Sequence, residues 1–241
     1  MAVVIVQARM GSTRLPGKSL KDLSPAKIID WVLQRCATAE SISEVVVATS
    51  TNEEDDALVE HVTAGGWLVH RGHPLDVLDR FRTALSLVDD PVIVRITGDC
   101  PFVEPELIDL AVESLKSLDY VATGIDGRFP RGFDVEALRR QALIEAATEA
   151  EDSQEREHVT PFIVRRPNRF HIGAVPCPEW AQYPNFRLTL DEESDLELIR
   201  AVVNELQATP KTLEGRRVIE LLTDRPDLRA MNAGVRHNIV K

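Results

Sequence analysis

The strongest constraint on this chain is an alternation of two periodicities. Val3-Val4-Ile5-Val6 is a continuous β-branched run, the pattern of a strand buried on both faces. Ile28, Ile29, Val32, Leu33 and Cys36 then recur at helical spacing. Val45–Ala48 reads as a second buried strand, and the acids Glu53–Asp56 after it suit the first turn of a helix capped by Thr51 or Asn52. Trp67–Val69 is a short third strand, 75–88 a helix, Val92–Ile96 a fourth strand and 105–117 a fourth helix. Strand and helix thus alternate four times within about 120 residues, which predicts an α/β fold of three layers, helix on sheet on helix, around a mostly parallel sheet. Ligands of such sheets sit beyond the carboxyl ends of the strands.

Beyond residue 118 the rhythm loosens. Phe133–Val135 is read as a strand before a helix at 137–149, Glu155–Arg166 as a helix interrupted at Pro161, and 169–175 and 186–190 as strands. Ser194 and Glu197 form an S-x-x-E capping box opening a helix to about Leu206, and a last helix lies near 214–223, before a loose tail. No linker or repeat divides the chain, so 1–241 reads as one domain: a ligand-binding half (1–120), a second half (121–210) and a C-terminal helix and tail (211–241).

With 28 Lys+Arg against 39 Asp+Glu, the net charge of −11 argues against nucleic acid as a partner. No apolar run approaches the ~20 residues that cross a bilayer, and the N-terminus lacks the marks of a signal peptide. Cys36, Cys100 and Cys177 show no metal or disulfide spacing, which suits a reducing cytoplasm. The charge is uneven, however. Residues 1–21 contain Arg9, Arg14, Lys18 and Lys21 and no acid, so this segment is +4 and the rest −15.

The basic island is the loop after the first strand, Gln7-Ala8-Arg9-Met10-Gly11-Ser12-Thr13-Arg14-Leu15-Pro16-Gly17-Lys18. Gly11 and Gly17 allow close backbone approach, Ser12 and Thr13 add hydroxyls, and three cations suit a triphosphate. It is not a P-loop: five residues separate Gly11 from Gly17, and Lys18 does not open a helix. The dinucleotide pattern G-x-G-x-x-G is also absent.

The loop resembles the A-R-x-x-S-x-R-L-P-G-K signature of the sugar cytidylyltransferases, a family that includes 3-deoxy-manno-octulosonate and acylneuraminate cytidylyltransferases. Ala8, Arg9, Ser12, Arg14, Leu15, Pro16, Gly17 and Lys18 all match it. The resemblance continues in Asp76–Arg80, Val94–Pro101 and Arg156–Val159, covers about residues 1–205, and points most to the spore coat polysaccharide biosynthesis protein F group. It implies a glycosyltransferase-A-like fold and transfer of CMP from CTP to a sugar or sugar-acid hydroxyl. It also implies a homodimer joined through 130–180.

On that resemblance Arg9, Arg14 and Lys18 hold the triphosphate, with Ala8, Gly11, Ser12, Gly17 and Thr97 around the nucleotide. Asp99 and Asp191, each following a strand, hold Mg²⁺; the family's Gly-Asp pair maps to Gly98-Asp99 and its D-x-x-x-D-L segment to Asp191–Leu196. Thr97 and Cys100 stand where this family often carries Gln and an acid, so neither the base contact nor the acceptor is assigned by this motif. Asp76 and Arg80, one helical turn apart, fit either an i,i+4 salt bridge or a place beside the nucleotide. Arg128, Arg131, Asp134 and His158 are candidate acceptor contacts, set against a solvated loop and a structural histidine. Asp195 reads as a first-turn acid, and Cys100 as structural, having no histidine beside it. Two other readings stand beside this one. A nucleotide-sugar glycosyltransferase would be expected to carry an Asp-x-Asp motif, which neither 53–56 nor Asp224–Asp227 supplies in a suitable context. A non-catalytic nucleotide-binding protein would have no need of Asp99, Asp191 and Lys18.

Overall fold

The computed structural model describes residues 1–235. In chain order its strands and helices are β1 (Ala2–Gln7), β2 (Asp22–Leu23), β3 (Ala26–Lys27), α1 (Ile28–Cys36), β4 (Ile42–Ser50), α2 (Asp56–Ala64), β5 (Leu68–Gly72) and α3 (Val77–Ala84). There follow β6 (Val92–Thr97), α4 (Pro105–Leu115), β7 (Tyr120–Ala122), β8 (Glu136–Arg139), α5 (Arg140–Glu149), α6 (Ser153–His158), α7 (Pro161–Val164) and β9 (Ile172–Ala174). α8 (Glu193–Leu206), α9 (Gly215–Asp224) and α10 (Pro226–Ala230) close the described chain.

Seven strands form one sheet in the order β5-β4-β1-β6-β8-β7-β9. Only β8 runs against its neighbours, pairing antiparallel with both β6 and β7. The alternation of β1 explains the layers. Val4 and Val6 join the core beneath α1, α4 and α8, whereas Val3 and Ile5 face the opposite core with Leu78 and Phe81 of α3 and Leu143 of α5. β1 lies at the centre of the sheet, flanked in register by β4 and β6, so Gln7 sits level with Ala48 and Thr97. The loop after β1 therefore emerges at the carboxyl edge, between the two halves of the sheet.

The second half corrects several expected boundaries. The strand expected at 133–135 lies at Glu136–Arg139, and the helix after it starts at Arg140. Residues 186–190 are extended but make only an isolated bridge, Arg131 to Arg187, because the segment crosses the strand ends instead of lengthening the sheet. Ser194 lies inside α8 and does not cap it. The box is formed by Glu192 and Asp195, which exchange hydrogen bonds with each other's backbone N–H. At α2, Asn52 precedes a 3₁₀ turn and its side chain caps nothing. The tail forms the short α10, and the rest of it, from residue 236, lies outside the described residues.

One buried cation ties the segment leading into α9 to α1 and to the start of α4. Arg35 of α1 is 1% exposed and donates to the carbonyls of Val103, Pro210 and Leu213 and to Glu104 Oε2 at 2.8 Å. The same Glu104 oxygen accepts the Gly215 N–H that opens α9. Arg35→Met takes the donor from three carbonyls and leaves the Glu104 carboxylate with the Gly215 N–H but without its cation, and a loss of about 3–5 kcal/mol is expected in urea unfolding. Adding Glu104→Gln should return part of that loss, because the stranded charge is then gone; no recovery would place the cost elsewhere than in the pair.

Candidate active site

The loop from Ala8 to Lys18 is shaped mostly by its own backbone. Met10 O accepts the N–H groups of Ser12 (2.8 Å) and Gly17 (3.1 Å), closing it into a ring. Gly17 sits at φ +68°, a left-handed conformation that costs a side-chain residue strain. Its N–H is spent on this closure and is not offered to a ligand, unlike the expectation for a phosphate-binding glycine. Gly98 is required by a close approach: a Cβ there would fall 2.9 Å from Ala8 Cβ, where the loop start lies on the end of β6. The anchor of the loop is Asp55, which is fully buried. It accepts Met10 N–H at 2.6 Å as well as the backbone and hydroxyl of Ser50. The acid run at 53–56 is thus not simply a solvated helix start; one of its members holds the loop against β4.

Lys18 is the meeting point of three distant segments. Its ammonium donates to Asp99 Oδ2 at 2.8 Å, to Asp191 Oδ1 at 3.1 Å and to the Leu190 carbonyl at 2.7 Å. Burial alone would lower the lysine pKa, but the two carboxylates outweigh it and hold it above its ordinary value. For Asp99, burial would raise the carboxyl; Lys18 and the hydrogen bonds from Lys18 and Thr97 hold it below the usual range instead. Both groups therefore stay charged at neutral pH. The other Asp99 oxygen accepts from Thr97 Oγ1 at 2.6 Å, so the carboxylate is fixed in orientation.

A second layer braces Asp191. Leu190 N–H donates to Asp99 O at 2.8 Å, setting the two carboxylate-bearing segments side by side. Arg187 donates to Asp191 Oδ2 at 2.7 Å and to Asp195 Oδ1 at 2.9 Å. Asp195 is fully buried and also accepts from the N–H of Asp191 and from the Asn232 amide. It is therefore more than a first-turn acid: it is the post to which Asp191 is tied. Arg14, half exposed, adds an ion pair to Asp191 at 3.1 Å. Arg9 forms no ion pair among the described residues and lies electrostatically near Arg80.

These groups share one cavity of about 280 Å³, lined on the loop side by Ala8–Arg9 and Gly11–Arg14 and completed by Gln7, Lys18, Thr97, Asp99 and Asp191. It combines cations for an anionic ligand with two carboxylates set around a cation position. A second cavity, of about 240 Å³ between Trp180 and α9, lies away from them.

The cytidylyltransferase family profile matches residues 3–219. The chain is a member of the cytidylyltransferase family. It is 35% identical over 232 residues to the spore coat polysaccharide biosynthesis protein SpsF of Bacillus subtilis (strain 168), covering 92% of this chain and 94% of that protein. It is 30% identical over 214 residues to a 3-deoxy-manno-octulosonate cytidylyltransferase of Anaeromyxobacter sp. (strain Fw109-5), covering 83% of each. A cytidylyltransferase structure from Leptospira borgpetersenii serovar Hardjo-bovis (strain JB197) superposes with a TM-score of 0.89 at 28% identity, over 98% of this chain and 99% of that one. The chain accordingly has the nucleotidyltransferase fold that the loop's resemblance implied, built on the mostly parallel sheet that its alternating elements predicted.

Within this cytidylyltransferase the remaining candidates lie outside the cavity lining. Asp76 and Arg80 do not form the i,i+4 pair. Asp76 caps α3 through Asp79 N–H and pairs with Arg156 at 3.0 Å, joining α3 to α6. Arg80 is buried and turns back onto the carbonyls of His73 and Pro74, where it shapes the turn before α3. Arg128 is exposed and paired with Asp126; Arg131, also exposed, stands 4.0 Å from Asp134. Burial raises the Asp134 carboxyl, with Arg131 and the Gly132 N–H opposing and Asp99 adding to the rise. His158 ends α6, half-buried. The Cys100 thiol is buried and pushed well up by desolvation and by Asp99, which suits a packing role. The groups that sequence reading missed are Asp55, Arg187 as a brace, Asn232 and the Leu190 carbonyl. No periodicity or spacing marks them, because each acts through a partner remote in sequence or through its backbone.

No described helix is long and apolar enough to cross a membrane.

Proposed function

We propose that the protein transfers CMP from CTP to a hydroxyl of a sugar or sugar acid, with release of pyrophosphate, in the synthesis of a surface polysaccharide. The observation that carries this reading is the convergence of Lys18, Asp99 and Asp191 at the edge of a cavity walled by the basic loop. The acceptor oxygen attacks the α-phosphorus, the bond from α-phosphorus to the bridging oxygen breaks, and pyrophosphate leaves with that electron pair. Such a reaction requires positioning and charge neutralisation and no covalent nucleophile. Arg9 and Arg14 supply charge along the triphosphate, and Ser12 and Thr13 line its path. Family membership and the SpsF-like and octulosonate-enzyme relatives support the base and the acceptor class.

The donor set also fits Mg²⁺. Two carboxylates and a carbonyl already surround one ammonium, and hard divalent cations take such oxygens together with phosphate oxygens. Asp99 and Asp191 are the residues that would hold the ion, which when bound offsets charge on the phosphate under attack. For that, Lys18 has to move from the carboxylates to the incoming phosphates. The reading also carries a homodimer, on the family resemblance alone, and a cytoplasmic setting, which the free cysteines Cys36, Cys100 and Cys177 suit.

The test is a thermal-shift panel of nucleoside triphosphates with Mg²⁺, followed by pyrophosphate release with sugar and sugar-acid acceptors. CTP at about 100 times its Kd adds about 2.7 kcal/mol to the native state, which for a domain of this size raises the midpoint by about 5–10 °C. A larger shift with UTP or GTP would reassign the base. A panel without any shift would defeat the nucleotide reading altogether.

A further inference from the structure

Gln7 ends β1 with its side chain on the face shared by Val3 and Ile5, and it lines the cavity together with Thr97 and Asp99. Its amide is not free to rotate. Arg95 Nη2 donates to Gln7 Oε1 at 3.0 Å, while Arg95 Nη1 donates to Glu136 Oε2 at 2.9 Å. Glu136 is held in turn by the Thr160 hydroxyl at 3.4 Å. A guanidinium has donors and no acceptor, so the amide atom facing Arg95 has to be the oxygen. The NH₂ group is thereby directed away from Arg95, and the bond from Arg95 is the one hydrogen bond of the Gln7 side chain among the described residues. A chain of side chains from α7's edge through β8 and β6 thus ends in one oriented amide donor at the cavity.

The position of that donor separates it from the triphosphate loop. Gln7 leans toward β6 and β8, the half of the sheet away from β4, whereas Arg9, Arg14 and Lys18 belong to the loop. Arg95 spends its charge on Glu136, so this flank presents a neutral donor and not a phosphate-binding cation.

We infer that Gln7 is an acceptor-recognising residue, its amide N–H donating to a hydroxyl or carboxylate oxygen of the sugar that attacks the nucleotide, and that Arg95 and Glu136 are the positioning pair that orients it. This rests on the nucleotidyl-transfer reading above. Its substance is that acceptor specificity is read from the end of the central strand.

Steady-state pyrophosphate release decides it first, with CTP and 3-deoxy-manno-octulosonate, N-acetylneuraminate or mannose as acceptor. Gln7→Leu is expected to raise the acceptor KM about tenfold, the effect of one lost hydrogen bond at a buried oxygen, with the CTP KM within about twofold. Gln7→Glu keeps the shape and the contact to Arg95 but offers an oxygen where the donor was; it should impair the two sugar acids more than mannose if a carboxylate is the group read, and all three alike if a hydroxyl is. Arg95→Met should reproduce the rise in acceptor KM, and Arg95→Lys, which keeps a donor to Gln7, should restore most of it at an unchanged melting temperature. A second readout needs no turnover. The ¹⁵N–¹H₂ signal absent from Gln7→Leu identifies the amide, and in CMP-saturated protein it should shift when an acceptor sugar is added and stay in place when CMP alone is. A Gln7→Leu variant that raises the CTP KM instead, or an amide signal that follows CMP and ignores all three sugars, overturns the assignment. If the wild-type protein releases no pyrophosphate with any acceptor, the transfer reading falls by itself, and the amide signal still decides whether Gln7 meets a sugar.

Discussion

Asp99→Asn is expected to lower kcat by on the order of 10²–10³-fold, the usual cost of removing one fixed charge-stabilising group from a transfer site. The substitution keeps the shape and can still accept from Thr97 Oγ1, which now donates to Oδ1 at 2.6 Å. What it removes is a full negative charge from the point that balances Lys18 and that, on the proposed function, would hold a divalent cation. The folded state should lose only about 1 kcal/mol, since the pair with Lys18 is partly solvated and Asp191 remains as a partner. A large loss of turnover with a nearly unchanged melting curve is the expected result. Comparable loss in both would mean that Asp99 is a packing residue, and unchanged turnover would remove it from the chemistry.

Lys18→Met is expected to act in two opposite directions. The affinity for CTP falls about 10–100-fold, because charge-assisted hydrogen bonds to phosphate are worth about 1.5–3 kcal/mol. Binding of Mn²⁺ to the nucleotide-free protein tightens, because the ammonium that now bridges Asp99 and Asp191 at 2.8 and 3.1 Å no longer competes for the same oxygens. In the wild-type protein, nucleotide and metal should strengthen each other's binding, since phosphate draws Lys18 off the carboxylates; linkage makes that effect equal in both directions. Calorimetric titration of each ligand in the presence and absence of the other measures it. Equal Mn²⁺ affinity in the two proteins would show that Lys18 does not guard the carboxylates.

The halves of the chain differed in how far they could be read. From 1 to 120, strands and helices matched their expected places within a few residues, because each is long enough for its periodicity to speak: Val92–Ile96 was read where β6 runs Val92–Thr97, and Ile28–Cys36 is α1 itself. After 118 several elements are short, although α5, α8 and α9 are not. β7 and β9 have three residues each and α7 four, too few to show a period, so their boundaries come from what they pack on. Ser194 illustrates a local signal overridden by tertiary structure. Its S-x-x-E pattern is sound, yet Asp195 is drawn into the core by Arg187 and Asn232, and the helix starts two residues earlier than that cap would place it. The pair Asp76 and Arg80 fails for the same reason: Arg156 from α6 claims the carboxylate that helical spacing offered to Arg80.

The sequence by itself determined the layered fold, the basic loop at a strand end and the carboxylates Asp99 and Asp191 as its partners in kind. The fold and the loop follow from periodicity, composition and spacing, all of which act over a few residues; the two carboxylates were marked by the resemblance to the sugar cytidylyltransferases. Only the tertiary structure decided that Lys18 spans 81 and 173 residues to stand between those two carboxylates, that Asp55 holds the loop, and that Arg95 holds the Gln7 amide oxygen. The physical reason is that a hydrogen bond or ion pair depends on where two groups end in space. The sheet brings strand ends from the whole chain to one edge, and nothing in the local pattern of either partner records which other group will meet it there.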